Sequence, residues 1–187
     1  MSNHAIHPCS PAQELAYMVI HALARGLAVE VDGLGIFYPD ASHGCRFEPA
    51  KPQVFLAYVE EDRAAAEWLY EALETEGFSP WMDTRKLLPG QNWPRAIEAA
   101  IETSDFFVAC FSSRSVNKRG GFQAEIRYAL DCARRIPLDD IFVVPVRLDG
   151  CRVPRAVQKE LQYIDLFPDR DRGLRRLSAA LRRKNRF

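Results

Sequence analysis

No apolar run in this chain approaches the roughly 20 residues that a membrane-spanning helix needs, so no membrane partner is expected. No charge of either sign dominates: Lys and Arg number 25, and so do Asp and Glu. Net charge therefore gives no reason to expect nucleic acid or an anionic lipid surface as a partner. Histidine is confined to His4, His7, His21 and His43. The larger part of the chain lacks imidazole, which argues against a Ser-His-Asp hydrolase and against a zinc site there. His4, His7 and Cys9 carry metal-binding atoms, but a frayed polar tail is the expected reading of such a terminus. Cys9, Cys45, Cys110, Cys132 and Cys151 are odd in number, widely spaced and form no Cys-x-x-Cys pair, which reads as reduced thiols in a cytoplasmic protein. Met1 to Pro11 has no basic stretch followed by an apolar core, so no secretory signal is expected. Internal repeats and low-complexity tracts are absent.

What is present is an alternation. The 187 residues, 48% of them apolar, suit one ordinary domain with a small appendage. From Gln53 onward, short apolar runs alternate with helical stripes. Val54 to Tyr58 has no polar alternation, as in a strand covered on both faces. Asp62 is placed to cap a helix with the stripe Ala65, Trp68, Leu69, Ala72 and Leu73, which Gly77 ends. Phe78 to Met82 reads as a shorter strand, and its Pro80 suggests an imperfect or edge strand. A loop from Asp83 to Gln91 leads to the cap Asn92 and a helix carrying Trp93, Ile97, Ala100 and Ile101. Phe106 to Phe111 is the most apolar strand. A polar loop, Ser112 to Gly121, precedes the helix of Phe122, Glu125, Ile126, Ala129 and Leu130. Two further strands, Ile141 to Val146 and Tyr163 to Leu166, flank a short helix from Val153 to Leu161. Leu174, Leu177 and Leu181 mark a last helix. This order predicts a flavodoxin-like α/β fold with a five-stranded parallel sheet over residues 51–187.

Residues 1–50 differ. Leu15, Met18, Val19, Ala22 and Leu23 form an apolar stripe. Two short strands follow, Leu27 to Val31 and Leu34 to Tyr38, joined at Asp32-Gly33. The prediction is a helix and β-hairpin.

Parallel strands open their following loops onto one edge, where ligands bind in such sheets. That edge gathers Glu60, Glu61 and Asp62, then Asp83 and Trp93, then Ser112, Ser113 and Glu125. Arg and Lys occur at 85, 86, 114, 118 and 119, and helix N-termini that favour phosphate converge there.

The ordered set resembles the bacterial Toll/interleukin-1 receptor (TIR) domains. Its parts are Phe55-Leu56-Ala57-Tyr58 with Asp62; Trp81-Met82-Asp83 with Leu87-Leu88-Pro89-Gly90 and Trp93; Ile97 to Ile101 with Ser104; Phe111-Ser112-Ser113; Glu125; and Val144-Pro145-Val146. The resemblance implies cleavage of NAD, as substrate and not as cofactor, at the nicotinamide–ribose bond, with linear or cyclic ADP-ribose as product and a role in bacterial defence. It makes Glu125 the catalytic carboxylate, with Tyr58, Asp62, Asp83, Trp93, Ser112 and Phe122 at the substrate. It also implies self-association through TIR domains. Two positions depart from many members: Ala57 stands where Ser is common, and Gly121-Phe122 where Trp-Cys is common.

The residues alone leave plainer readings open. Glu125 is also an ordinary first-turn glutamate that suits the helix dipole. Trp93 is equally a core anchor or a stacking residue. Ser112 and Ser113 also serve simply to turn the loop. The arginines after Asp169 read as an exposed helix face, with nucleic acid not expected. A non-catalytic interaction module is the alternative function. A phosphoacceptor domain is disfavoured because Phe111-Ser112-Ser113 supplies no aspartate. Ala22 to Gly26, Val29 to Val31 and Gly33 to Phe37 resemble the helix-to-sheet part of HU/IHF histone-like proteins without their basic arms, which implies Phe47-Glu48-Pro49 as a candidate returning strand and dimerisation more than DNA binding.

Overall fold

The structure, a computed structural model, describes residues 10–40, 44–137 and 139–185. His4, His7, Cys9 and His43 lie outside them. The chain forms two compact units, one ending at Lys51 and the other beginning at Pro52.

The first unit begins with helix α1 (Pro11–Ala24). Ser10 and Gln13 close a reciprocal capping box: the Ser10 hydroxyl accepts from the Gln13 amide at 3.3 Å, and the Gln13 side chain accepts from the Ser10 amide at 2.9 Å. Strands β1 (Val29–Val31), β2 (Gly35–Pro39) and β3 (Cys45–Pro49) follow as an antiparallel sheet in that order. The sequence signalled a hairpin and a candidate return, and the return is a full strand. Gly33 takes a positive φ of 71° in the expected turn, closed by the Leu34 amide donating to the Val31 carbonyl at 3.0 Å. Gly35 permits close approach: a Cβ there would lie 2.1 Å from the Glu48 carbonyl oxygen.

The second unit carries β4 (Gln53–Ala57), α2 (Arg63–Thr75), β5 (Ser79–Trp81), α3 (Asp83–Lys86), α4 (Trp93–Thr103), β6 (Phe106–Phe111), α5 (Gly121–Ala133), β7 (Val143–Arg147), α6 (Arg155–Gln158), β8 (Ile164–Asp165) and α7 (Arg170–Leu181). All its strands are parallel, ordered β5-β4-β6-β7-β8. β5, with Pro80, is an edge. α3 lies inside the segment expected to be loop.

Alternate residues of each strand feed two cores. Val54, Leu56, Phe106, Val108 and Cys110 pack with Leu69, Leu73, Leu177 and Leu181 of α2 and α7. Phe55, Ala57, Phe107, Ala109 and Phe111 pack with Ile101, Phe122, Ile126 and Ala129 of α4 and α5. On that second face Trp81, Phe55 and Phe107 stack across three strands, with centroids 4.7 and 5.3 Å apart. On the far edge Gly173 brings α7 against β8: a Cβ there would sit 2.4 Å from the Asp165 carbonyl oxygen.

The four described cysteines are free thiols, and burial pushes Cys110 up to about 12. No helix among the described residues is long and apolar enough to cross a membrane.

Candidate active site

The strands end on a cleft of about 800 Å³, within the size range of small-molecule sites. Tyr58, Val59 and Glu60 reach it from the end of β4, and Asp83 from the end of β5. α4 supplies Trp93, Pro94, Ile97, Glu98 and Ile101. α5 and the residues before it supply Lys118, Arg119, Phe122, Glu125, Arg127, Tyr128 and Asp131.

Each wall has a local cause. β5 ends at Trp81, and Asp83 turns the chain at once into α3: its carboxylate accepts from the Thr84 amide at 2.7 Å. The same oxygen accepts from the Tyr58 hydroxyl at 2.7 Å, so the first two strand ends are joined. The Thr84 hydroxyl lies 3.1 Å from that phenol oxygen. Burial holds the Tyr58 phenol far above its ordinary range, keeping it a neutral donor. Asn92 caps α4 by accepting from the Arg95 amide at 3.3 Å, which places Trp93 and Pro94 in the first turn. Trp93 is 63% exposed. Of the two roles open to it, core anchor is the one this exposure removes.

Glu125 is the fifth residue of α5 and is half-buried. Helical side chains lean toward the N-terminus, and its Oε1 lies 3.8 Å from where a Gly121 Cβ would be. Glycine at 121 therefore leaves that flank of the carboxyl uncovered. Burial first, and the Asp83 charge second, push Glu125 up from 4.5 to about 7. From the sequence, a glutamate this near a helix N-terminus is expected to stay ionised. That influence fades beyond the first turn, and desolvation outweighs it here.

Asp62 and Ser112 do not line the cleft. The expected helix-capping bond from Asp62 is not made. Its carboxylate instead accepts a short hydrogen bond from the Ser112 hydroxyl and faces the Arg114 guanidinium at 3.4 Å. Both are buried, and they bind the loop after β6 to the 3-10 turn Glu60–Asp62. Lys118 adds an ion pair to Glu61 at 2.5 Å. Asp149 accepts from the Ser113 amide and hydroxyl, so Ser113 also serves the scaffold.

The structure thus brings five expected residues onto one cleft: Tyr58, Asp83, Trp93, Phe122 and Glu125. Glu98, Arg127, Tyr128 and Asp131 escaped the sequence reading. Helical spacing was the available signal, since Tyr128 is three residues beyond Glu125 and Glu98 is one turn beyond Pro94. Tyr128 donates to Glu102 at 2.5 Å, linking α5 to α4. No cluster of three or more metal-binding side chains occurs among the described residues.

A parallel sheet with a cleft at its carboxyl edge and a half-buried glutamate on the helix after the middle strand defines a doubly wound α/β domain, a class whose ligands generally bind at that edge. The TIR domain family model matches residues 54–178, and the chain belongs to that family. The match lies outside the first unit and gives no support to its likeness to histone-like proteins. The chain is 26% identical over 117 residues to the protein y4cD of Sinorhizobium fredii, covering 63% of this chain but only 18% of that much longer relative. Its fold is similar to the TIR domain of the Toll-related receptor TRR-2 of Hydra magnipapillata, with a TM-score of 0.56 and 24% identity over 69% of this chain and 97% of that one. It is also similar to a metazoan TIR-STING receptor from C. gigas, with a TM-score of 0.53 and 22% identity over 67% of this chain and 39% of that one.

Proposed function

We propose that the cleft binds NAD and that Glu125 promotes cleavage of the bond between nicotinamide and ribose. The observation that carries this reading is the half-buried Glu125 carboxylate facing a cleft in a chain of the TIR family. Cleavage takes the C1′–N electron pair onto nicotinamide, which leaves as a neutral base, so no strong acid is required. The ribose left behind resembles an oxocarbenium ion. Glu125, bonded to the ribose hydroxyls, stabilises that cation. Water then adds its oxygen to C1′ and releases a proton, giving ADP-ribose; attack by the adenine ring instead gives the cyclic product.

The surroundings fit the substrate. Trp93 offers an exposed ring to stack on a base. Lys118, Arg119 and Arg127 stand at the cleft wall where a diphosphate needs positive charge. Gly120 caps α5 without a side-chain oxygen, leaving first-turn amides for an anion. The cationic nicotinamide riboside lowers the pKa of Glu125 on binding, so the carboxyl is ionised in the complex.

The test is NAD turnover, with products identified by mass spectrometry at several protein concentrations. Glu125→Gln is expected to reduce the rate by about 10²–10³. Equal turnover in the two proteins rules the assignment out. A second reading, a TIR module that pairs with other TIR domains without catalysis, is favoured by Leu88, 71% exposed on the segment after α3. Absence of turnover in the wild type at every concentration supports it.

A further inference from the structure

Helix α1 is apolar nearly all round, with Leu15, Ala16, Tyr17, Met18, Val19, Ile20, Ala22, Leu23 and Ala24 in ten consecutive positions. A helix of that kind belongs in an interior. Yet Val19 is its one buried residue, while Tyr17 is 69% exposed, Ile20 66%, Met18 57% and Leu15 39%. Among the described residues nine large apolar side chains are exposed, and seven of them lie in the first unit: these four, Leu27, Leu34 and Phe47. A unit this small does not complete a core alone.

We propose that two copies of this chain dimerise through α1, packed antiparallel about a two-fold axis between Tyr17 and Ile20. Three observations choose a second copy as the occupant. First, Tyr17, Ile20 and Ala24 recur at spacings of three and four on the side turned from Val19, the pattern of a helix-pairing seam. Second, the seam is self-complementary. In an antiparallel pair Tyr17 of each copy packs on Ile20 of the other, as an isologous interface requires. Third, the charges match. Glu14, His21 and Arg25 share one flank of the helix, and antiparallel pairing sets Glu14 of one copy between His21 and Arg25 of the second. Neither Glu14 nor Arg25 has a salt bridge among the described residues. This dimer stands independently of NAD chemistry in the other unit.

The experiment is sedimentation equilibrium of the full chain, with circular dichroism to confirm helix content. The wild type is expected to dimerise, and Ile20→Asp to raise the dissociation constant by at least about 30-fold. Tyr17→Ser, at an equally exposed position, repeats the test if Ile20→Asp fails to fold. Glu14→Arg and Arg25→Glu are each expected to weaken self-association a few-fold. An equimolar mixture of those two variants restores it, because opposite charges then meet. A monomeric wild type, a dimer indifferent to Ile20→Asp and Tyr17→Ser, or a mixture that associates no better than either charge variant overturns the proposal.

Discussion

Replacing Glu125 with glutamine tests the cleft through stability, with no substrate present. The carboxyl ionises at 4.5 when unfolded and at about 7 when folded. Between those values the folded state holds the proton more tightly than the unfolded chain. Stability contributed by the protonated acid is complete below pH 4.5, is lost as pH rises toward 7, and does not return above it. Each decade of proton affinity is worth about 1.4 kcal/mol, so the folded wild type is less stable by about 3 kcal/mol at pH 8 than a chain without this ionisation. Glu125→Gln keeps the size and removes the titration. It is expected to unfold at nearly the same denaturant concentration as wild type at pH 4.5 and to be more stable by up to about 3 kcal/mol at pH 8. Trp68, Trp81 and Trp93 all lie after Pro52, so tryptophan emission reports the unit that holds the cleft. A stability gap independent of pH, or one that narrows toward pH 8, refutes the burial argument. A variant that gains stability while losing turnover places Glu125 among residues kept for function at a cost to the fold.

Asp83→Asn removes the charge that helps to raise Glu125, so the acid limb of the wild-type kcat/KM profile is expected to move to lower pH, while asparagine still accepts from Tyr58. An unmoved limb would show that Asp83 does not act on Glu125. Gly173→Ala forces a Cβ against the backbone of Asp165 and Leu166 and is expected to cost at least about 2 kcal/mol by chemical denaturation; a neutral effect would mean that α7 shifts freely on β8. Leu88→Asp, at a 71% exposed position, is expected to leave stability within about 0.5 kcal/mol while weakening assembly or turnover; unchanged assembly and turnover would leave that segment without a role.

The parallel sheet was legible because its strands are unbroken apolar runs, and β6 is buried at all six positions. Asn92 and Gly77 were read correctly because caps and helix ends are set within a few residues. α3 was not legible: four residues carry no periodicity, and the turn forms because Asp83 meets its own neighbour's amide and Tyr58, 25 residues earlier. Asp62 has a capping residue's position, but Ser112 and Arg114, about 50 residues downstream, claim its carboxylate. Glu125 could be chosen by motif, but its proton affinity depends on what covers it and on a charge from another strand end. Association through residues 1–50 was expected, but the stripe read through Val19 leaves out Tyr17 and Ile20, and Leu15 and Met18 within it are exposed.

The strand order β5-β4-β6-β7-β8 bears on how the chain emerges during synthesis. β5 and β6 add to opposite sides of β4, and after β6 each new strand joins the side that the previous strand has just extended. Assembly can therefore follow the ribosome, but with a delay in the middle. Phe106 to Phe111 is complete some 30 residues before β7 arrives to cover its free edge. During that interval the nascent chain shows an uncharged, proline-free, strand-forming hexapeptide of the kind that nucleates cross-β aggregates. The edge of β6 that β7 covers thus stays open until Val143 has left the tunnel, and a chaperone that shields it would have to grip the middle of the sheet rather than its ends.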